Sequence, residues 1–287
     1  MANDESSIAI IGAGRLGASL ADALLRAGYR LNHVASRDVD AATALVQRLA
    51  RPVRACAPAV AVDASGLVFL TVPDDRVEPV AAALPWRAGQ WAVHCSGVSG
   101  LEVLSAATDA GAVAGCFHPL QSFPSREPDA GRFASITVGV EAPEPLSSAL
   151  EGMALAFGAQ VVRLEGADRA LYHAAAVFAS NDVVALMAAA TEAWRMAGLP
   201  VAAARAALSP LLLGAAKNVS AAELADALTG PIARGDVATV ERHLAALGRA
   251  PELRSLYSAL ARQLLTLPLG HTPEEHALLA ALLDADD

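Results

Sequence analysis

Residues 7–17 read SIAIIGAGRLG, a short apolar run that leads into Gly12-x-Gly14-x-x-Gly17 and then a helical pattern. A strand, a glycine-rich turn and a helix in this order are typical of a dinucleotide-binding fingerprint. Gly12 permits the tight turn, Gly14 lets the backbone approach a pyrophosphate, and Gly17 lets the helix pack close to the strand. The free N–H groups at the helix start then face the phosphates. The alternative interpretation is a turn with a purely structural role.

Strand-like and helical patterns alternate up to about residue 165, and only helical patterns follow. The strand-like runs are 7–12, 31–36, 67–72, 90–95, 112–117, 135–140 and 160–164, and the helical ones between them are 15–27, 39–50, 75–83, 100–109 and 145–157. The later helical segments are 167–197, 201–217, 221–227, 236–248, 251–266 and 273–284. Alternation predicts a mostly parallel sheet covered on both faces. We therefore expect an α/β fold, with a Rossmann-type domain over 1–165 and an all-helical domain over 166–287.

Composition narrows the classes of partner. The net charge of −9 argues against general binding of nucleic acids. We find no apolar stretch of membrane-spanning length with clean flanks, and the start, MANDESS, is unlike a signal peptide. Three cysteines without CxxC spacing indicate neither a disulfide framework nor a zinc site, and we expect no metal. The reducing cytoplasm is the expected location.

The end of the second strand bears on the choice of nucleotide. Many NAD-binding folds place an acidic residue there, which accepts hydrogen bonds from the ribose hydroxyls. Here the strand ends in Ser36 and Arg37, a hydroxyl and a guanidinium that suit a 2′-phosphate, and Arg15 in the glycine loop could help. Asp38 comes one residue later, and the alternative for it is a helix cap. We predict NADP rather than NAD, with a solvated loop arginine as the alternative for Arg37.

Three polar segments follow predicted strand ends, where parallel sheets place ligands. The first begins with Val72, Pro73 and Asp74, and Asp74 is favoured as a helix cap. The second is 94–97, HCSG, in which the serine offers a hydroxyl near the expected nicotinamide position, the histidine is favoured as structural, and the cysteine as a small buried hydrophobe. The third presents His118 before a proline, in an extended and rigid segment, where a structural histidine is the alternative to a site role. An unperturbed imidazole pKa of about 6.5 would suit proton transfer near neutral pH.

The helical pattern from 167 carries polar residues among alanine and valine. His173 and Asn181 are eight residues apart, so they lie roughly 80° apart around the helix. Polar groups on an apolar helix need partners, and a cleft between the domains would supply them. The alternative for His173 is hydrogen bonding between helices. Farther on, Arg234 lies in a Gly/Pro-rich loop and is a candidate for binding an anion, unless that loop only joins two helices.

Six segments together carry a resemblance that spans nearly the whole chain. They read GAGRLG, VPDD, HCSG, HPLQSF, YHAAAVFASN and TGPIARGD. They resemble Rossmann-like proteins whose C-terminal part is the DUF2520 domain. That group is similar to the superfamily that contains 6-phosphogluconate dehydrogenase, pyrroline-5-carboxylate reductase and ketopantoate reductase. The resemblance implies an NADP-type site, an all-helical second domain and a homodimer built through that domain.

One departure from this superfamily affects the chemistry. Its hydroxyacid dehydrogenases and ketopantoate reductases carry a catalytic lysine four residues before an asparagine on the first long helix. If Asn181 is that asparagine, the lysine position holds Val177, and Lys217 lies on another predicted helix. His173 or His118 would then have to manage the proton, unless no side chain transfers one.

These observations predict an NADP(H)-dependent oxidoreductase that transfers a hydride to or from a C=O or C=N carbon of a small substrate between the domains. A keto acid such as ketopantoate is suggested only by superfamily analogy, and a deazaflavin partner is not excluded. The alternative is a nucleotide-binding or redox-sensing module without turnover. The candidates for catalysis are Ser96, His118, His173 and Asn181. The candidates for cofactor binding are Gly12, Gly14, Arg15, Leu16, Gly17, Ser36, Arg37, Val72, Pro73 and Asp74.

Overall fold

The computed structural model describes residues 7–284, so the polar start of the chain, residues 1–6, lies outside the described residues. The chain divides into two compact units, Met1–Ser180 and Asn181–Asp287. The boundary that we predict from sequence, at residue 165, stays a sequence-based division.

The first unit is built on one eight-stranded sheet. The strands are β1 (Ile8–Ile11), β2 (Leu31–Ala35), β3 (Arg54–Cys56), β4 (Leu67–Leu70), β5 (Trp91–His94), β6 (Val113–Pro119), β7 (Thr137–Glu141) and β8 (Gln160–Arg163). Their order across the sheet is β3-β2-β1-β4-β5-β6-β7-β8, and every neighbouring pair is parallel except β6 and β7. The prediction of a mostly parallel sheet is confirmed. The strand order reverses at β1 and β4, whose carboxyl ends form the crevice where open α/β sheets bind ligands.

Most of the helices in this unit lie between strands, and the last one follows β8. They are α1 (Arg15–Arg26), α2 (Val39–Val46), α3 (Pro58–Asp63), α4 (Asp74–Ala82), α5 (Ser105–Asp109), α6 (Leu146–Ala156) and α7 (Arg169–Ala179). Buried apolar residues fill both faces of the sheet, in one cluster around Phe69 and Phe117 and another around Val68 and Leu104. Burial on both faces explains why β1 and β4 are continuous apolar runs rather than alternating ones.

The second unit, over its described residues, contains only helices. They are α8 (Asn181–Met196), α9 (Val201–Ala221), α10 (Leu224–Ala227), α11 (Val237–Leu247), α12 (Pro251–Leu265) and α13 (Pro273–Asp284). Its core is an apolar cluster in which Val240, Leu244, Leu279 and Leu283 are almost fully buried. The predicted all-helical character of this part is confirmed.

Several predicted elements need correction. The sequence did not predict β3 or α3. In β3 the three residues are too few to show an apolar pattern, and Arg54 among them is exposed. The predicted helix 167–197 is interrupted at Ser180, whose hydroxyl donates to the Ala176 carbonyl. The predicted helix 100–109 begins as a 3₁₀ turn over Leu101–Leu104.

One helical stretch has an unusual exposure. Residues Arg169–Met196 are long and apolar enough to cross a membrane by length and composition alone, with a mean hydropathy of 1.5, and none of that apolar window is buried. From the sequence we expected no such stretch.

Candidate functional site

The glycine loop joins β1 to α1 at the strand reversal. Gly12 has a φ of +122°, and a Cβ there would lie 2.7 Å from the Thr71 carbonyl oxygen. A Cβ on Gly17 would lie 2.0 Å from the Gly12 carbonyl oxygen, so α1 packs on the loop only because both residues are glycine. The Thr71 hydroxyl, at the end of β4, donates to the Gly12 carbonyl at 2.8 Å. The loop is therefore held rigidly against the neighbouring strand.

Gly14 differs from the other two glycines of the loop. It is the N-cap of α1 and offers no side chain to the helix start, and a Cβ built on it has only the Thr71 carbonyl oxygen nearby, at 3.9 Å. The space beside Gly14, at the start of α1, is thus open. Backbone donors with open space before them suit a phosphate group.

The end of β2 carries the residues predicted to select the nucleotide. Asp38 accepts hydrogen bonds from the backbone N–H groups of Asp40 and Ala41, so its role as the cap of α2 is confirmed. The Ser36 hydroxyl accepts from the Asp38 N–H at 3.3 Å. Arg37 is exposed, and over residues 7–284 its guanidinium forms no hydrogen bond or ion pair. The same is true of Arg15 in the glycine loop. Both cations are free to meet an anion.

The segment after β4 follows the prediction only in part. Val72 is half-buried, and Pro73 and Asp74 are exposed at the same sheet edge as the glycine loop. The favoured role of Asp74 as a helix cap is wrong, because Pro73 is the N-cap and Asp74 is the first residue of α4. Its charge lies at the positive end of that helix.

The loop after β5 is fixed from inside. His94 is fully buried, and its Nδ1 accepts a hydrogen bond from the Ser96 N–H at 3.2 Å. Ser96 is also buried, and its hydroxyl oxygen accepts from the Ser99 N–H and lies 3.0 Å from the Ser99 hydroxyl. Burial lowers the pKa of His94 to about 4, so this imidazole is neutral. Both side chains shape the loop.

Arg169, the first residue of α7, binds the same loop from outside. Its guanidinium donates to the carbonyl oxygens of Ser96 at 3.0 Å and Gly97 at 3.3 Å. It also pairs with Glu141 at 3.1 Å and lies 3.0 Å from the Cys116 sulfur. The Arg169 side chain is only 10% exposed, so its charge is shielded from water and neutralised by one carboxylate.

His118, His173 and Tyr172 form a cluster around Gly97. His118 Nδ1 lies 2.9 Å from the Tyr172 hydroxyl, and the rings of His118 and His173 are 6.1 Å apart between centroids. A Cβ on Gly97 would lie 2.6 Å from His173 Nδ1 and 2.8 Å from His118 Nε2. His173 Nδ1 is buried and, among the described residues, has no hydrogen-bond partner. We refer to these four residues as the imidazole cluster.

The electrostatics of the imidazole cluster overturn one expectation. Burial, with smaller contributions from His173 and Arg169, lowers the pKa of His118 to about 4. The premise of an unperturbed imidazole near pH 6.5 is therefore wrong, and His118 is neutral at physiological pH. Burial raises the pKa of Tyr172 to about 12, so its phenol keeps its proton. His118 and Tyr172 are therefore neutral hydrogen-bonding groups.

The remaining candidate, Asn181, begins α8 and belongs to the second unit. Arg234 is exposed there and lies 3.8 Å from Asp236, which caps α11 through the Thr239 N–H as expected. The described residues contain no group of three or more side chains that could hold a metal ion.

Sequence reasoning missed Arg169, Glu141, and the contact between Tyr172 and His118. Their partners lie 28 to 73 residues away along the chain, so no local spacing reveals them. One available signal was a guanidinium that opens an otherwise apolar helix, because a cation there needs a partner.

Comparisons with known proteins agree with this architecture. Residues 1–119 match the Rossmann-like domain family, and residues 136–264 match DUF2520, described as a domain of unknown function. A comparison with curated protein sequences gives no match.

Among solved structures, the chain is similar to a Bacteroides fragilis protein described provisionally as an NADP oxidoreductase, with 26% identity and a TM-score of 0.69, over 91% of this chain and 98% of that one. A Thermotoga maritima protein gives 25% identity and a TM-score of 0.68 over 90% and 96%. An imine reductase from a Pseudomonas species is 23% identical, with a TM-score of 0.62 over 98% of this chain and 99% of that one. At this identity the similarity is one of fold.

Proposed function

We propose that this chain, which consists of a Rossmann-like domain followed by a DUF2520 domain, is an NADP(H)-dependent oxidoreductase acting on a small substrate. The open space beside Gly14 carries the proposal, because it leaves room for a phosphate at the uncapped start of α1, at the carboxyl edge of the sheet. In the imidazole cluster, Gly97 follows β5 and His118 lies near the end of β6, at the same edge. The Bacteroides fragilis relative, described provisionally as an NADP oxidoreductase, supports this interpretation.

The residues at this edge fit an NADP-type cofactor. The glycine loop, with Gly12, Gly14, Arg15, Leu16 and Gly17, would hold the pyrophosphate. Ser36 and Arg37 would bind the 2′-phosphate. A second observation supports this role, because the Arg37 guanidinium has no partner among the described residues. Val72, Pro73 and Asp74 would lie along the cofactor. When bound in its reduced form, the cofactor supplies a hydride with its electron pair to the substrate carbon.

The protein's own part is to orient the substrate and to provide a proton. His118 would donate from its neutral imidazole, with His173 beside it. Ser96 would shape the loop that carries Gly97, since its hydroxyl is engaged with Ser99. Asn181 remains a candidate for orienting substrate.

A panel of substrates tests the activity directly. NADPH oxidation is followed with 2-keto acids, including ketopantoate, and with cyclic imines, and NADH is compared as cofactor. The proposal expects turnover with at least one class and preference for NADPH. Tight NADPH binding without turnover of any compound would favour the nucleotide-binding or redox-sensing module instead. The three cysteines are free, consistent with the reducing cytoplasm that we propose as its location.

We further propose a homodimer formed through the helical part. No residue of the apolar window within Arg169–Met196 is fully buried, and Val184 on this stretch is 72% exposed. A second copy of the chain would cover it, as the resemblance implies. Light scattering at micromolar concentration is expected to give about twice 29.3 kDa, and Val184→Glu to shift the protein toward monomer. Val39→Glu, at an exposed position on α2, is the control. A wild-type monomer, or one that sediments with lipid vesicles, would contradict the proposal.

A further inference from the structure

We propose that the imidazole cluster accepts a carbonyl group and disfavours an iminium ion, because Tyr172 holds His118 in the tautomer that carries its proton on Nε2. This proposal deepens the proposed function and rests on it. It distinguishes the two substrate classes, C=O and C=N, between which the glycine loop cannot decide.

The contact between Tyr172 and His118 sets the tautomer. The phenol keeps its proton, and the Nδ1 atom of His118 lies 2.9 Å from the phenol oxygen. If the phenol donates, Nδ1 is the acceptor and the single proton of the neutral ring sits on Nε2. The opposite arrangement would leave the phenol proton without an acceptor among the described residues. A Cβ on Gly139 would lie 2.6 Å from the Tyr172 hydroxyl oxygen, so this glycine makes room for the contact.

The Nε2 atom of His118 is available to a ligand. It is not among the fully buried polar atoms, and within residues 7–284 it makes no hydrogen bond. It lies beside Gly97, next to His173 Nδ1, which is buried without a partner. A neutral N–H donor of this kind suits an oxygen that gains negative charge during reduction.

The charges around the cluster disfavour a cation. After burial, His173 and Arg169 both lower the pKa of His118, and no carboxylate contributes to the pKa of this imidazole. Glu141, which pairs with Arg169, is already engaged by that guanidinium. An iminium ion would bring a positive charge to a place where the protein keeps its own imidazole from becoming positive. A carbonyl group brings none.

The reaction step balances as follows for a carbonyl substrate and a reduced nicotinamide dinucleotide. The hydride and its electron pair form a C–H bond at the carbonyl carbon, and the C=O π bond becomes an oxygen lone pair. The Nε2 proton of His118 moves to that oxygen. The Tyr172 proton moves to Nδ1, so the imidazole stays neutral. The Nδ1 proton then returns to the phenolate while Nε2 takes a proton from water, which restores the starting tautomer. Arg169, 5.8 Å from the Tyr172 ring centre, favours the transient phenolate. Tyr172 is therefore a positioning residue that acts through His118.

The test compares substrates of matched size and reads the tautomer independently of activity. With NADPH, kcat/KM is measured for cyclopentanone and for 2-methyl-1-pyrroline, which is largely protonated near neutral pH. The wild type is expected to prefer the ketone by at least about tenfold. The ¹⁵N NMR spectrum of imidazole-labelled protein is expected to show His118 protonated on Nε2, with an Nε2 shift when cyclopentanone and NADP⁺ are added.

Tyr172→Phe is the decisive variant. It is expected to give a mixture of His118 tautomers and to lower kcat/KM for the ketone by about 10²-fold, within the range for general acid catalysis, while NADPH affinity stays unchanged. Tyr257→Phe is the matched control, because Tyr257 makes the same kind of contact with His243 Nδ1, at 3.0 Å, on α11 and α12. It should change neither quantity.

Three results would overturn the proposal: preference for the pyrroline, a wild-type His118 protonated on Nδ1, or a Tyr172→Phe variant with unchanged tautomer and turnover. If neither substrate is reduced, the ¹⁵N NMR spectrum is the test. An Nε2 signal of His118 that does not shift when cyclopentanone and NADP⁺ are added would overturn the proposal. Failure of the proposed function would give a different result. The wild-type protein would not bind NADPH, while its His118 would still be protonated on Nε2.

Discussion

Gly97→Ala places a single methyl group in the middle of the imidazole cluster. The new Cβ would meet His173 Nδ1 at 2.6 Å and His118 Nε2 at 2.8 Å, whereas ordinary contact begins near 3.4 Å. The rings must therefore give way by about 0.6–0.8 Å, and overpacking of this kind costs about 1–3 kcal/mol. His118 resists the shift because its other ring nitrogen is bound to Tyr172. Gly97 lacks a positive φ, so alanine causes no backbone strain of its own.

The effect on catalysis should exceed the effect on stability. A displacement approaching 1 Å of a group that orients the substrate can cost about 10²-fold in rate, so turnover should fall by that order while NADPH affinity is unchanged. Urea unfolding and NADPH oxidation are measured side by side. Gly152→Ala in α6 is the control, since a Cβ there has no neighbour within 4 Å, and the variant should gain about 0.5–1 kcal/mol at full activity. A Gly97→Ala protein as stable and as active as the wild type would refute the reasoning.

Three further expectations follow from the same geometry. Gly14→Val should abolish NADPH binding with normal circular dichroism, because its side chain fills the open space before α1 without a clash in the protein; retained affinity would count against the glycine loop as the site. Arg37→Ala should weaken NADPH by about 1.5–3 kcal/mol and leave NADH unaffected, and equal losses for both nucleotides in titrations would show that Arg37 does not bind a 2′-phosphate. His94 and His118 have folded pKa values of about 4, below their unfolded values, so the unfolded chain binds more protons. The contribution of the two neutral histidines to the free energy of unfolding is complete above about pH 6.5 and is lost as the pH falls toward 4. For each histidine the loss is about 1.4 kcal/mol per unit by which its pKa is lowered. Urea midpoints measured from pH 7.5 to 4.5 should fall, less so in His118→Asn, and a flat profile would contradict the burial of these rings.

Local sequence patterns were sufficient to predict the main features of the fold. The glycine spacing, the alternation of strands and helices up to residue 165, and the Asp38 cap depend on residues close together in sequence, and the structure has all three. His118 and His173, which the sequence offers separately as candidates at a strand end and on the first long helix, lie together in the structure, with ring centroids 6.1 Å apart.

Local sequence patterns could not predict the protonation state of His118 or the contacts that hold the imidazole cluster. The lowered pKa of His118 comes from burial, which depends on packing by distant segments. The contacts of Arg169 with the Ser96 and Gly97 carbonyls span more than 70 residues, and backbone acceptors carry no sequence signature. The short edge strand β3 also escaped, because three residues are too few to show a period.

A crystal structure with bound NADP⁺ tests the central claim most directly. The account predicts the pyrophosphate over Gly14 at the start of α1, the 2′-phosphate against Arg37, and the nicotinamide ring on the side of Gly97 and His118. A nucleotide bound away from the glycine loop, or a nicotinamide ring remote from the imidazole cluster, would contradict it.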